Sequence, residues 1–259
     1  MSGKTIYDDI LWSIPEQKTG TVQIIGGNSS NFASVIRIAE ELNRLPLKNV
    51  RILLPDALRG KLPPLPDISF ASSTTSGSFA KSPELATAMD DADLTFLLGD
   101  LSKNSATAIA ITEALKSSTK PAVITRDAVD LITPEMPSII EKPGLIFIAS
   151  MAQLQKLLRA VYYPKMLLLS MPLIPTLEVL HKFTLSYPCT ILTFLGGNII
   201  VAKDGKTATL PIAETHYTPL SLWSGTLAGK VAALTAWNPS QPYEATLAAL
   251  HYDTPRATS

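Results

Sequence analysis

Cysteine is almost absent from this chain. The one copy among 259 residues, Cys189, excludes an internal disulfide, and its setting, Pro188-Cys-Thr-Ile-Leu192, suits a buried and inert thiol. Net charge is absent as well. Twenty-two basic residues balance twenty-two acidic ones, which removes the electrostatic case for nucleic acid or an anionic membrane as a general partner. Charged residues are scarce at 17% against 46% hydrophobic, a balance that argues against disorder. The opening residues, Met1-Ser-Gly-Lys-Thr-Ile-Tyr-Asp-Asp9, carry no apolar signal core. With the lone cysteine, this gives the expectation of a cytoplasmic protein.

Uninterrupted apolar runs are missing too. Phe183–Ala202 has no charge over 20 residues, but Pro188 and Gly196-Gly197 break it, so it predicts two buried strands around a turn and no membrane span. The three histidines, His181, His216 and His251, lack metal-ligand spacing, and no GxSxG, CxxC, HExxH or Walker A pattern occurs. The last absence bears most on function. No Asp or Glu stands between Glu214 and Glu244.

What is present is an alternation of short β-branched runs with helical patterns. Strands are expected at Thr21–Gly26, Asn49–Leu54, Ile68–Ser72, Leu94–Gly99, Ala122–Thr125, Leu145–Ala149 and Met166–Leu169. Helices are expected at Asn31–Arg44, Lys103–Leu115, Ala152–Val161, Pro175–Phe183, Pro219–Trp237 and Tyr243–Leu250. In the first of these helices Phe32, Val35, Ile36, Ala39 and Leu42 form one stripe, with Arg37, Glu40, Glu41 and Arg44 facing away. The alternation implies a mostly parallel sheet covered on both faces. Late in the chain Thr190–Leu195, Asn198–Lys203 and Lys206–Pro211 are separated by Gly196-Gly197 and Asp204-Gly205, which predicts an antiparallel meander. The proline-bearing loop Arg59–Pro66 and the Ser/Thr-rich Ser72–Ser78 are surface connections, and the simplest organisation is a single domain over 1–259. The residues before about 18 and after about 252 are peripheral, with Asp253–Ser259 frayed.

Four places have the residue types of a site. Ile24-Ile-Gly-Gly-Asn-Ser-Ser-Asn31 follows a strand and precedes a helix, where Gly26, Gly27 and Asn28 suit close backbone approach to a ligand; a plain turn with Asn or Ser capping the helix is the alternative. Leu97-Leu-Gly-Asp-Leu-Ser-Lys-Asn104 places Asp100 at a second strand end, to meet a ribose or metal or to cap the next helix. Asp127 and Asp130 are three apart on one helix face, suited to metal or proton chemistry or simply to a helix dipole. Pro219-Leu-Ser-Leu-Trp-Ser-Gly-Thr-Leu-Ala-Gly-Lys230 has the small residues of an anion-binding turn, and equally of a tightly packed helix. His216 lies just before it, with a structural or surface histidine as the alternative.

Residues and order together resemble the ribokinase-like superfamily, and within it the ADP/ATP-dependent NAD(P)H-hydrate dehydratase family, from about Ile14 to Leu250. Lys18-Thr-Gly-Thr-Val-Gln-Ile-Ile-Gly-Gly-Asn28 is similar to that family's opening K-G…V-V-I-G-G-S. Ala92–Asp100 is similar to D-A-L-V-I-G-P-G, Pro121–Asp130 to P-L-V-L-D-A-D-A-L-N, Asp204-Gly205 to the meander's D-G, and Leu227-Ala-Gly229 to the end of G-T-G-D-V-L-A-G. The resemblance implies a three-layer α/β/α fold. It also implies ADP or ATP held by Gly196, Ser224, Gly225, Thr226 and Gly229, with Mg²⁺ as a companion ion, and NADH, NADPH or the hydrated form near Gly26, Gly27 and Asn28.

The departures are as informative. The T-P-H-P-G-E stretch falls on Ile148-Ala-Ser-Met-Ala-Gln153, the nucleotide-site lysine on Leu195, and the catalytic Asp on Gly225, with Trp223 in place of a threonine. A glycine transfers no proton. The expectation is a degenerate, nucleotide-binding member that forms a homo-oligomer and has lost catalysis. Two alternatives stand beside it: an active dehydratase in which Asp127, His216 or Asp100 supplies the acid or base, and a small-molecule kinase of the same superfamily.

Overall fold

The computed structural model describes residues 5–62 and 67–252. The prolines of the expected 59–66 loop at 63, 64 and 66, and the expected frayed end 253–259, lie outside the described residues. The described strands are β1 Thr19–Gly26, β2 Leu47–Pro55, β3 Ile68–Ala71, β4 Leu94–Gly99, β5 Ala122–Thr125, β6 Leu145–Ile148, β7 Thr190–Leu195, β8 Asn198–Lys203 and β9 Lys206–Pro211. The helices are α1 Asp8–Trp12, α2 Ala33–Leu42, α3 Pro83–Asp90, α4 Ser105–Ser117, α5 Asp127–Ile132, α6 Met151–Ala160, α7 Leu173–Ser186, α8 Ser221–Ser224, α9 Thr226–Trp237 and α10 Pro242–His251.

One sheet runs in the order β3-β2-β1-β4-β5-β6-β7-β8-β9. All pairs through β6–β7 are parallel, and β7–β8–β9 is antiparallel. The meander turns need positive φ at both central positions, and Gly196 (+54°), Gly197 (+78°), Asp204 (+49°) and Gly205 (+74°) supply it. Alternate strand residues enter opposite cores. Val22, Ile24, Ile52 and Leu54 pack against α2, α9 and α10; Ile25, Leu53, Leu97 and Ile124 pack against α3 to α7. The architecture is a three-layer α/β/α sandwich. Before β1, α1 leans on α10, with Ile10 buried and Tyr7 stacked on His251 at 4.4 Å. Among the described residues no helix is long and apolar enough to cross a membrane.

Several expectations are corrected. Met166–Leu169 is irregular and forms no strand, because β6 pairs directly with β7 and leaves no slot between them. The expected helix Pro219–Trp237 is two helices, broken at Gly225, whose φ of +80° no continuous helix contains. Helix α2 begins at Ala33 with no side-chain cap at Phe32; Asn28 instead accepts the amides of Ser30 (2.8 Å) and Asn31 (3.2 Å), closing the turn before the helix. Ile38, absent from the expected stripe, is fully buried. Helix α3 is additional to the expected helices, and Pro83 at its first turn followed by Glu84 is its start signal.

Candidate functional site

The strand order reverses between β1 and β4, and open α/β sheets bind ligands outside the carboxyl ends of their strands at such a point. Gly26 and Gly99 face one another there, so close that a Cβ on Gly26 would stand 2.6 Å from the Gly99 carbonyl oxygen. Gly99 has φ +110°, and a Cβ on it would run into the Asp127 carboxylate. Gly26 is therefore needed for the approach of β1 to β4, and Gly99 for its positive φ and for the seat of the Asp127 carboxylate.

Beyond them the chain fills the crevice with its own charges. Asp100 is buried, and Arg126 Nη2 donates to its Oδ1 at 2.6 Å. Ser34 Oγ donates to Asp100 Oδ2 and accepts from Arg126 Nη1 (2.7 Å), while Asn31 Nδ2 donates to Asp100 Oδ1 (3.1 Å). Asn28 Nδ2 donates to the Asp100 carbonyl at 2.6 Å. Asp100 and Arg126 hold φ of +57° and +56°, conformations that cost a non-glycine residue about 1–3 kcal/mol each and persist only when surroundings enforce them. Burial pushes the Asp100 carboxyl up; the Arg126 charge pulls it down and the Asp127 charge pushes it up again. Asp100 caps no helix, contrary to one expectation: Asn104 Oδ1 caps α4 by accepting the Ala106 amide at 2.8 Å.

Asp127 and Asp130 share the first turn of α5 but do different things. Asp127 accepts the amides of Asp100 (2.8 Å) and Leu101 (2.9 Å), one on each oxygen, so its carboxylate holds the β4–α4 loop. Asp130 accepts from Gln153 Nε2 (2.7 Å) and Lys156 Nζ (2.6 Å). Gln153 Nε2 also donates to the Arg126 carbonyl at 2.7 Å, and its Oε1 accepts the Ser150 amide in a capping box at the start of α6. Asp127, Asp130 and Lys156 form one wall of a cavity of about 630 Å³ that also meets Lys103, Asn104 and Glu135 over a floor including Leu101 and Leu131.

The glycine turn sits on the other helical layer of the same crest. A Cβ on Gly225 would stand 2.7 Å from Leu98 Cδ1, which places the turn directly over the end of β4. Arg37 Nη2 donates to the Ser224 carbonyl, and its Nη1 donates to Glu41 Oε1 (2.7 Å) and reaches Thr226 Oγ1 (3.5 Å). The Thr226 amide donates to Ser224 Oγ at 3.3 Å. Helix α2 thus carries Ser34 to the ion pair and Arg37 to the turn. Gly229 faces Leu42 of α2, where a Cβ would be 3.4 Å away. Gly196 lies apart in the β7–β8 turn, with open space where a Cβ would stand. His216 is exposed in the connection after β9, and Trp223 is half exposed.

The structure therefore joins Gly26, Asn28, Asp100 and Asp127 in one network and sets Ser224, Gly225 and Thr226 beside it through α2. Among the described residues no group of three or more His, Cys, Asp or Glu side chains is arranged to hold a metal ion. Sequence reasoning missed the second half of the network. Arg37 carries no signal beyond facing away from the core, Ser34 carries none, and nothing in the sequence marks Arg126 as a positive-φ position.

No family model matches the chain, and no curated protein matches it in sequence. Solved structures do match it in fold. A ribokinase-like superfamily protein from Enterococcus faecalis superposes with a TM-score of 0.64 at 16% identity, over 94% of this chain and 84% of that one. An ADP/ATP-dependent NAD(P)H-hydrate dehydratase from Bacillus subtilis, co-crystallised with ATP/Mg²⁺, gives 0.58 at 14%, over 94% and 84%. A hydroxyethylthiazole kinase protein from Pyrococcus horikoshii gives 0.56 at 15%, over 95% and 81%. The chain is an α/β/α sandwich with a doubly wound sheet, and its fold is ribokinase-like.

Proposed function

We propose that this chain is a ligand-binding, non-catalytic protein on a ribokinase-like scaffold, derived from a nucleotide-dependent enzyme of the NAD(P)H-hydrate dehydratase kind. The observation that carries the reading is the turn at Gly225. The family resemblance puts the catalytic Asp there, no acid occurs from 215 to 243, and the glycine's Cβ position is taken up by Leu98. The three groups that would substitute are poorly placed for it. Asp100 is tied to Arg126, both oxygens of Asp127 accept amides, and His216 is exposed on a loop. Loss of a general acid or base costs on the order of 10²–10⁴ in rate. The same loss weighs against a small-molecule kinase, which needs a base for its acceptor hydroxyl.

The residues at the turn fit a phosphate. The first-turn amides of the 12-residue α9 meet the half-exposed Arg37 guanidinium at one place, and a phosphate there would compete with Glu41 for Arg37. They do not fit a separate Mg²⁺ ion, since the crest's carboxylates are already engaged. The 630 Å³ cavity beside Asp127 falls in the range of small-ligand pockets, with Lys103 at its edge for an anionic group. The ligand class is ADP or ATP, with NADH, NADPH or the hydrated form as the second candidate. A single domain acting as a homo-oligomer in the cytoplasm belongs to the same reading. Isothermal titration with ADP, ATP, NADH and NADPH tests it: at least one binds at millimolar concentration or below, and heat from none of the four rejects the binding half.

A further inference from the structure

The connection between α6 and α7, residues 161–172, is the expected strand that did not form. Its apolar side chains stand in solvent instead. Tyr162 is 88% exposed, Met166 63% and Leu169 58%, and Ile174 at the start of α7 is 65% exposed. Pro164 and Pro172 bound the stretch, and Tyr162 turns the chain at φ +53°. Isolated exposed hydrophobic residues are ordinary on a protein surface; several within thirteen positions mark an interaction site.

Charge says what covers it. The whole chain is neutral, yet Met151–Cys189 holds four basic residues and one acid: Lys156, Arg159, Lys165 and Lys182 against Glu178. Lys156 is taken by Asp130. Lys165 and Lys182 lie side by side, and the Lys182 ammonium makes Lys165 harder to protonate, with Glu178 offsetting only part of this. Arg159 lines the adjoining cleft with Tyr162, Lys165 and Met166. A second copy of this chain is a poor occupant, because a two-fold interface would set this cationic rim against itself. A peptide is a poor one as well, because the cleft is about 300 Å³, at the lower limit of small-ligand pockets. Protruding Leu, Ile, Met and Tyr side chains with Arg159, Lys165 and Lys182 beside them match the boundary of an anionic bilayer, where the apolar groups enter the acyl region and the cations meet headgroup phosphates.

We propose that the 162–174 segment is a peripheral docking surface for anionic lipid membranes. It is independent of the crest and of the function proposed for it. The test is co-sedimentation of the full chain with vesicles of phosphatidylcholine alone and of phosphatidylcholine with phosphatidylserine. Binding to the anionic vesicles exceeds that to the neutral ones at least tenfold and weakens in high salt. Leu169→Ser with Ile174→Ser lowers it more than tenfold. Lys165→Gln with Lys182→Gln lowers it by about fivefold per lysine. Unchanged thermal unfolding of both variants shows that the fold is intact. Equal partition to the two vesicle types overturns the proposal. So does a wild-type dimer in analytical ultracentrifugation that Leu169→Ser with Ile174→Ser dissociates, which would assign the patch to a second copy.

Discussion

Arg126 and Asp100 concentrate more constraint than any other two residues at the crest. Each is left-handed, each is largely buried, and together they neutralise one another within hydrogen bonds from Ser34 and Asn31. Removing one partner strands the other charge, which costs about 3–5 kcal/mol, whereas removing both at once costs far less than the sum. Arg126→Ala is therefore expected to lower urea-measured stability by about that amount, and the double-mutant cycle with Asp100→Asn to show strong coupling; additivity would mean the pair is not the unit described. Cys189 gives a second residue-scale prediction. Burial pushes its thiol from an ordinary value near 9 up to about 12. The folded state keeps the proton longer than the unfolded chain, so this contribution to stability is full below about pH 9 and is lost as pH rises through about 12. At pH 8 the native thiol is expected to resist a chromogenic disulfide reagent that reacts at once in denaturant; rapid native reaction would place it nearer the surface.

At the scale of elements, the turn between α8 and α9 is where sequence and structure can be compared most closely. The small residues around Gly225 mark a turn as readily as a tightly packed helix, and the helical composition from Pro219 to Trp237 favours one helix over two. The break became visible only in the backbone: Gly225 sits at φ +80° over Leu98 and Ile38, positions set by β4 and α2 far away in sequence. Gly225→Ala must adopt a left-handed conformation and displace Leu98, which is expected to cost about 1–2 kcal/mol. A melting temperature equal to wild type would show that the turn relaxes freely. The meander was legible because its evidence is local. Gly196-Gly197 and Asp204-Gly205 determine both turns, and β7, β8 and β9 have the expected bounds. Met166–Leu169 failed for the opposite reason, since whether an apolar run joins a sheet depends on β6 and β7 pairing elsewhere. The same holds at the crest. Asp100 and Asp127 stand out in the sequence as acids at strand ends, but Arg126 meets Asp100 only through the pairing of β4 with β5, and Ser34 and Arg37 reach the crest only because α2 packs on β1, β2 and α9.

For the whole molecule, the doubly wound sheet brings the carboxyl ends of β1, β4 and β5 to one edge beside α2 and the Gly225 turn, where open α/β sheets bind ligands. Function resides in the side chains placed there and not in the fold. In this chain the crest's charges are turned inward, on one another and on backbone amides, and the turn over β4 carries none of its own. The central claim is that binding persists where catalysis does not. It is tested most directly by incubating the purified protein with hydrated NADH and ADP and following recovery of nicotinamide absorbance. The account predicts no recovery above a heat-killed control; sustained recovery that scales with protein concentration would contradict it.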